Sequence, residues 1–219
     1  MPGLIIFDCD GVLIDSEPLA CRSLSEVLAG IGVAMSADEI NAELVGISLP
    51  GVTGYVQERF GVTLGPDFWK AHLAAILDLF VAELKPIDYV IEMLDQISGP
   101  KCVASSGRMA RLGPALKMTG LYERFQPHIY NAEMVERAKP APDLFLYAAK
   151  EMGFAPKDCL VIEDSRAGVT AAVAAGMPVI GFTGGGHTKS GHSDALLGAG
   201  ADAVLNHMRQ LPDILREAI

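Results

Sequence analysis

The sequence predicts an α/β protein, a doubly wound parallel sheet interrupted after its first strand by an all-helical insertion. Three observations carry this. Short apolar runs rich in Val and Ile recur along the chain, helix-like segments alternate with several of them, and residues 16–85 contain nothing that resembles a buried parallel strand. With 219 residues, half of them hydrophobic, the chain can bury a substantial apolar interior.

In order, "LIIF" (4–7) reads as the first buried strand. Ser16 with Pro18 then predicts a helix start, and Gly30 and Gly32 a stop. Further amphipathic helical patterns cover 36–45, 50–60 and 66–84, and Pro86 closes the segment. The expected organisation is therefore a core of 1–15 and 86–219 with a helical domain, 16–85, inserted between the first strand and the rest of the sheet. A helix over 86–98 leads to the strand "KCVAS" (101–105), and a helix over 108–118 follows. Asp143 near its start and Gly153 past its end bound a helix at 142–152. The strand "CLVIE" (159–163), a helix over 166–175 ended by Gly176, the strand "PVIGF" (178–182) and a weaker strand "DAVL" (202–205) complete the alternation. There is no internal repeat and no low-complexity stretch.

Composition narrows the function. No run approaches the roughly 18 apolar residues of a spanning helix, and the start lacks a basic segment followed by an apolar one. A soluble, unexported, cytoplasmic protein is expected. Cys9, Cys21, Cys102 and Cys159 form no CxxC pair, and three of them lie in or beside apolar runs, as small buried hydrophobes of a reducing compartment do. A net charge of −10 argues against nucleic acid or an anionic membrane as the main partner. An anionic substrate would need a local cation, and no obligate protein partner is inferred.

The stretch "LIIFDCDGVLIDSE" (4–17) places Asp8, Asp10, Asp15 and Glu17 just beyond an apolar run. Such crowding costs Coulomb energy unless a cation sits among the acids or one carboxyl keeps its proton, which marks a metal or acid/base site. Ligands of open α/β sheets bind beyond the carboxyl ends of the strands, where Asp8 and Asp10 fall. If the chain stays extended, their spacing of two points both side chains the same way. Glu163 and Asp164 follow "CLVI" in the same manner. Two adjacent strands ending in acids would suit Mg²⁺, a hard cation that takes few carboxylates and keeps its waters. Two prolines of "KPAPD" stiffen the loop around Lys139. Ser105 follows "KCVA", with Ser106 and Gly107 offering a hydroxyl and N–H groups to an anion. Phosphoryl transfer through an aspartate needs this set: a carboxylate nucleophile, a metal and a lysine for the phosphate oxygens, a hydroxyl to orient them and a second carboxyl to move protons. Asp8 would attack phosphorus; Asp10 would protonate the leaving oxygen and then activate water.

"DCDGVLIDSE", "ASSG", "KPAPD" and "VIEDSRAG" resemble, in order and separation, the four motifs of the haloacid dehalogenase superfamily of phosphohydrolases. The resemblance covers nearly all of the core. It implies a Rossmann-like core with Asp8 as nucleophile, Asp10 as acid/base, Ser105 and Lys139 on the phosphate, and Mg²⁺ held by Asp8, the Asp10 carbonyl and Asp164, with Glu163 near or reached through water. The insertion resembles the helical cap of the subgroup containing β-phosphoglucomutase and sugar-phosphate phosphatases. "FDCDGVLIDSE" is especially similar to bacterial phosphatases of the 6-phosphogluconate type, a lead about substrate. Asp10 speaks against a dehalogenase, whose pattern lacks the second aspartate, and Ala20 stands where the mutases carry a histidine.

The expected protein is thus a Mg²⁺-dependent phosphatase of small phosphorylated metabolites, sugar or sugar-acid phosphates, with a mobile cap. A β-phosphoglucomutase-like phosphotransferase and a signalling receiver phosphorylated on aspartate are the competing readings, and the inserted cap favours an enzyme. "TGGGHTKS" (183–190) is not a phosphate-binding P-loop, because Thr188 and Thr183 stand where that pattern needs glycine. It reads as a flexible glycine-rich loop with His187 and His192 unassigned, although His187, His192 and Asp194 could in principle bind zinc. Arg108 is a candidate for a second anionic group of the substrate, and Arg22, Arg59 and Lys70 are candidate cap contacts; none is assigned to the site.

Overall fold

The apolar run 4–7 forms β1 (Leu4–Phe7), after which the chain makes four helices, α1 (Glu17–Ala29), α2 (Ala37–Glu43), α3 (Leu49–Phe60) and α4 (Pro66–Glu83). It continues through α5 (Val90–Gln96), β2 (Lys101–Ser105), α6 (Met109–Met118), α7 (Tyr122–Phe125) and β3 (Ile129–Asn131). The rest alternates as α8 (Asp143–Met152), β4 (Cys159–Glu163), α9 (Arg166–Ala174), β5 (Val179–Phe182), α10 (His192–Gly198), β6 (Ala203–Leu205) and α11 (Leu211–Glu217). This is a computed structural model, and it describes residues 2–217.

Six strands pair side by side in the order β3-β2-β1-β4-β5-β6, every neighbouring pair parallel. That order is the doubly wound one, and the winding reverses between β1 and β4, the place where open α/β sheets bind ligands beyond the carboxyl ends of their strands. Register aligns those ends: Phe7 lies opposite Val103 of β2 and Ile162 of β4. Asp8, Ser105 and Glu163 therefore come to one edge of the sheet.

Every side chain of β1 is buried. Leu4 and Ile6 pack in one cluster with Phe145 and Ala148 of α8 and Val169 and Ala172 of α9. On alternate positions Phe7 meets the edge of Phe125, ring centroids 6.0 Å apart. Coverage on both faces is why these strands read as unbroken apolar runs.

The chain divides into two compact units, one reaching Asp15 and resuming at Lys85, the other Ser16–Leu84. The helical unit has a core of its own, with Cys21, Leu24 and Leu28 of α1 packed with Ile40 of α2 and Val52 and Val56 of α3. Ser36 and Glu39 form a reciprocal capping box at the start of α2. Arg22 of α1 donates to Glu83 of α4 at 3.0 Å. In the sheet unit, the segment before α5 is tied back to the β1 loop. The Asp15 amide donates to the Lys85 carbonyl (3.0 Å) and the Ile87 amide to the Leu13 carbonyl (3.0 Å), so the expected helix over 86–98 starts only at Val90.

β3, α7, α10 and α11 have no counterpart among the elements expected from the sequence. The strand "IYN" and the helix "YERF" are too short to show a period, and α10 follows a glycine-rich polar stretch that masks its start. All four cysteines are buried thiols rather than disulfides. Among the described residues no helix is long and apolar enough to cross a membrane.

Candidate active site

Asp8 extends the β1 ladder by one residue, its amide donating to the Ile162 carbonyl at 2.9 Å. The chain then folds over itself, with the Leu13 and Ile14 amides on the Cys9 carbonyl at 2.8 and 3.1 Å. Lys139, on the loop before α8, sends its ammonium to the end of the sheet. It donates to Asp8 Oδ1 at 2.6 Å, Glu163 Oε1 at 2.7 Å and the Ala104 carbonyl at 2.9 Å. Three acceptors use all three ammonium protons and join the ends of β1, β2 and β4. The lysine side chain is 2% exposed, Asp8 9% and Glu163 1%, so this charge cluster is withdrawn from water.

From the sequence, Glu163 is a candidate metal residue. In the structure Oε1 accepts from Lys139, and Oε2 accepts from the amide (2.8 Å) and hydroxyl (2.9 Å) of Ser165. Both oxygens are thus committed to holding the lysine and the start of α9. The carboxylate lies flat on Gly168, where a Cβ would fall 1.8 Å from Oε1; only glycine leaves that space.

Asp10 pairs with Arg111 of α6 at 2.6 Å, a contact the sequence reading missed. Arg108, which it considered instead, is exposed at the N-cap of α6, and Arg111 lies one helical turn further in. Ser105 Oγ accepts from the Gly107 amide (3.0 Å) and is buried, whereas Ser106 is exposed at the same loop. Asp164 is buried beside Gly11, whose φ of +73° and missing side chain admit it: a Cβ there would fall 1.8 Å from Asp164 Oδ2. His187 Nε2 is 3.2 Å from the same oxygen. Arg22 and Arg59 are paired within the helical unit, with Glu83 and with Glu43 respectively, and Lys70 is exposed.

Residues 2–176 match the family described as haloacid dehalogenase-like hydrolase. The chain belongs to that family. This hydrolase is 28% identical over 211 residues to 6-phosphogluconate phosphatase of Escherichia coli K12, covering 96% of this chain and 93% of that one. It is 30% identical over 178 residues to hexitol phosphatase A of the same organism, covering 80% of each. Among solved structures, a haloacid dehalogenase-like protein of unknown function from Agrobacterium tumefaciens C58 superposes with a TM-score of 0.87 at 36% identity, covering 100% of this chain and 99% of that chain.

The electrostatics of the hydrolase site follow from its dryness. Burial pushes the Asp8 carboxyl up to about 8, with Lys139 pulling it down and Glu163 and Asp10 adding to the rise. Burial also works against the Lys139 ammonium, but Asp8 and Glu163 outweigh it and hold the lysine above its ordinary value. His187 is held below the usual imidazole range, first by burial and then by His192.

Four acids, Asp8, Asp10, Glu163 and Asp164, thus share this end of the sheet with two paired cations, Lys139 and Arg111. The unbalanced negative charge and hard oxygen donors fit a divalent cation such as Mg²⁺. Among the described residues no three His, Cys, Asp or Glu side chains converge to hold a metal by themselves. A donor set of two carboxylates, Asp8 and Asp164, with the Asp10 main-chain oxygen suits an ion that keeps several waters. As for zinc, Asp194 is exposed on the first turn of α10, apart from the use the structure makes of His187 and His192 around Asp164.

Proposed function

We propose that this hydrolase is a Mg²⁺-dependent phosphatase of small phosphorylated metabolites, sugar or sugar-acid phosphates, 6-phosphogluconate among them, working through an aspartyl phosphate on Asp8. The observation that carries the reading is the buried ammonium of Lys139 shared between Asp8 and Glu163 at the switch point of the sheet. It holds a carboxylate in place and offers positive charge where a phosphate would arrive. The names of the phosphatase relatives support the substrate class.

An Asp8 oxygen attacks phosphorus while the ester oxygen departs with a proton from Asp10. Water then attacks the phosphoryl group, Asp10 takes its proton, inorganic phosphate is released and the Asp8 carboxylate is regenerated. The Lys139 charge offsets that of the phosphate oxygens, the Ser105 hydroxyl orients them, and Arg111 holds Asp10 in position. Asp8, the Asp10 main-chain oxygen and Asp164 would hold Mg²⁺, which would supply further positive charge for those oxygens. Residues 16–84 act as a cap that selects the substrate and excludes water.

The test is phosphate release from a panel of phosphorylated sugars, sugar acids, nucleotides and amino acids. Sugar and sugar-acid phosphates are expected to turn over with Mg²⁺, activity to vanish on exhaustive chelation, and Ca²⁺ to inhibit because its longer bonds misplace Asp8. Full activity after chelation would remove the metal from the reading. Given β-glucose 1-phosphate with a catalytic amount of glucose 1,6-bisphosphate, the enzyme should yield free phosphate. Ala20 cannot donate or accept a side-chain proton, so it gives no means of withholding water from the aspartyl phosphate. Stoichiometric glucose 6-phosphate without free phosphate would make the protein a mutase.

A further inference from the structure

The glycine-rich segment after β5, expected as a flexible loop, is anchored in the structure. The Gly186 amide donates to Asp15 Oδ1 at 2.8 Å. His187 Nε2 is 3.2 Å from Asp164 Oδ2, and His192 Nε2 is 2.6 Å from the main-chain oxygen of the same aspartate. The two imidazoles meet edge to face, centroids 5.7 Å apart and planes at 88°. His187 is buried. Its approach depends on a close fit of backbones: a Cβ at position 185 would fall 2.9 Å from the His187 ring and 3.0 Å from the Gly11 carbonyl oxygen, and one at position 11 would fall 2.8 Å from His187 Cε1.

A carboxylate and a main-chain carbonyl only accept hydrogen bonds, so both histidines must carry their proton on Nε2 to make these contacts. Two donors, His187 from the loop and His192 from the start of α10, therefore grip one aspartate, one on its carboxylate and one on its backbone.

We propose that His187 and His192 are positioning residues for Asp164, holding its carboxylate in the orientation in which it meets the divalent cation. This rests on the metal-dependent reading above. An aspartate beyond a strand end would otherwise lose rotamer freedom on binding the ion; the histidines impose that order beforehand, and loss of such an outer partner weakens metal binding about 10- to 100-fold. Gly185 of "TGGGH" then has a use: it lets the loop reach Asp164 across Gly11.

The test measures Mg²⁺ affinity without turnover, by calorimetry and by the rise of melting temperature across a Mg²⁺ titration, for the wild type, Asp164→Asn, His187→Ala and His187→Gln. Asp164→Asn is expected to lose Mg²⁺ binding. His187→Ala should weaken it about 10- to 100-fold while melting within a few °C of the wild type in EDTA. His187→Gln, whose amide nitrogen can donate from nearly the same place, should recover most of the affinity. The proposal fails if His187→Ala binds Mg²⁺ within about twofold of the wild type while Asp164→Asn does not bind. It also fails if glutamine gives no recovery, which would make the imidazole matter for some other property. Equal binding by Asp164→Asn and the wild type would instead bring down the metal reading itself, and this inference with it.

Discussion

Replacing Asp8 with asparagine is expected to lower phosphate release by about 10⁴-fold or more, the scale that loss of an enzymic nucleophile reaches, while leaving the fold intact. The amide has nearly the carboxylate's size and is a poor nucleophile. A second effect follows from the site's dryness. The Asp8 carboxyl sits near 8 in the folded protein against an ordinary 3.8, so the folded state keeps a proton that the unfolded chain releases. Stability then falls as pH rises between those two values. Asparagine carries no such charge. In metal-free buffer the melting temperature of Asp8→Asn relative to the wild type should therefore climb from pH 5 to pH 8. Thermal melts in EDTA across that window check it, and a gap that shrinks with rising pH would contradict the electrostatic account. Undiminished phosphate release from the pure variant would remove Asp8 from its proposed role. Incubation of the wild type with a small phosphodonor should likewise show rapid turnover rather than the long-lived phosphoprotein of a receiver.

Lys139→Met is expected to be the most destabilising single change at the site, and to abolish activity as well. It leaves Asp8 and Glu163, both almost fully buried, with no ammonium between them. Removing one partner of a buried charge cluster costs about 3–5 kcal/mol, or roughly 10 °C of melting temperature in a chain of this size. Adding Glu163→Gln removes the stranded Glu163 charge and should restore several degrees without restoring turnover, because no cation then faces the phosphate. Coupled melts and phosphate assays of the single and double variants decide the matter. Equal melting temperatures would show that Glu163 does not depend on the lysine, and retained activity in Lys139→Met would remove it from the proposed chemistry.

Much of the fold was legible because its causes are local. β1, β2, β4 and β5 are buried strands, so the residues along their middles are apolar without interruption, and that pattern needs no partner to be recognised. Gly153 closing α8 acts within one turn of its helix. β3 left no comparable trace: its three residues are a strand only because β2 lies beside them, paired from Val103–Ile129 to Ser105–Asn131. α10 was hidden because the glycines and polar residues ahead of it look like disorder until Asp15 and Asp164 anchor them.

The sequence by itself determined the α/β class, the membership of the haloacid dehalogenase-like hydrolases and the gathering of acids beyond strand ends, since each is written in runs and motifs that neighbouring residues complete. Only the tertiary structure decided which charges meet. Lys139 and Asp8 are 131 positions apart, and Asp10 and Arg111 are 101 apart. The choice of Glu163 to hold Lys139, of Arg111 over Arg108 to meet Asp10, and of His187 to meet Asp164 depends on distances of a few ångströms. Charges and hydrogen bonds act over that range through space, and no periodicity along the chain encodes which side chains the sheet will bring within it.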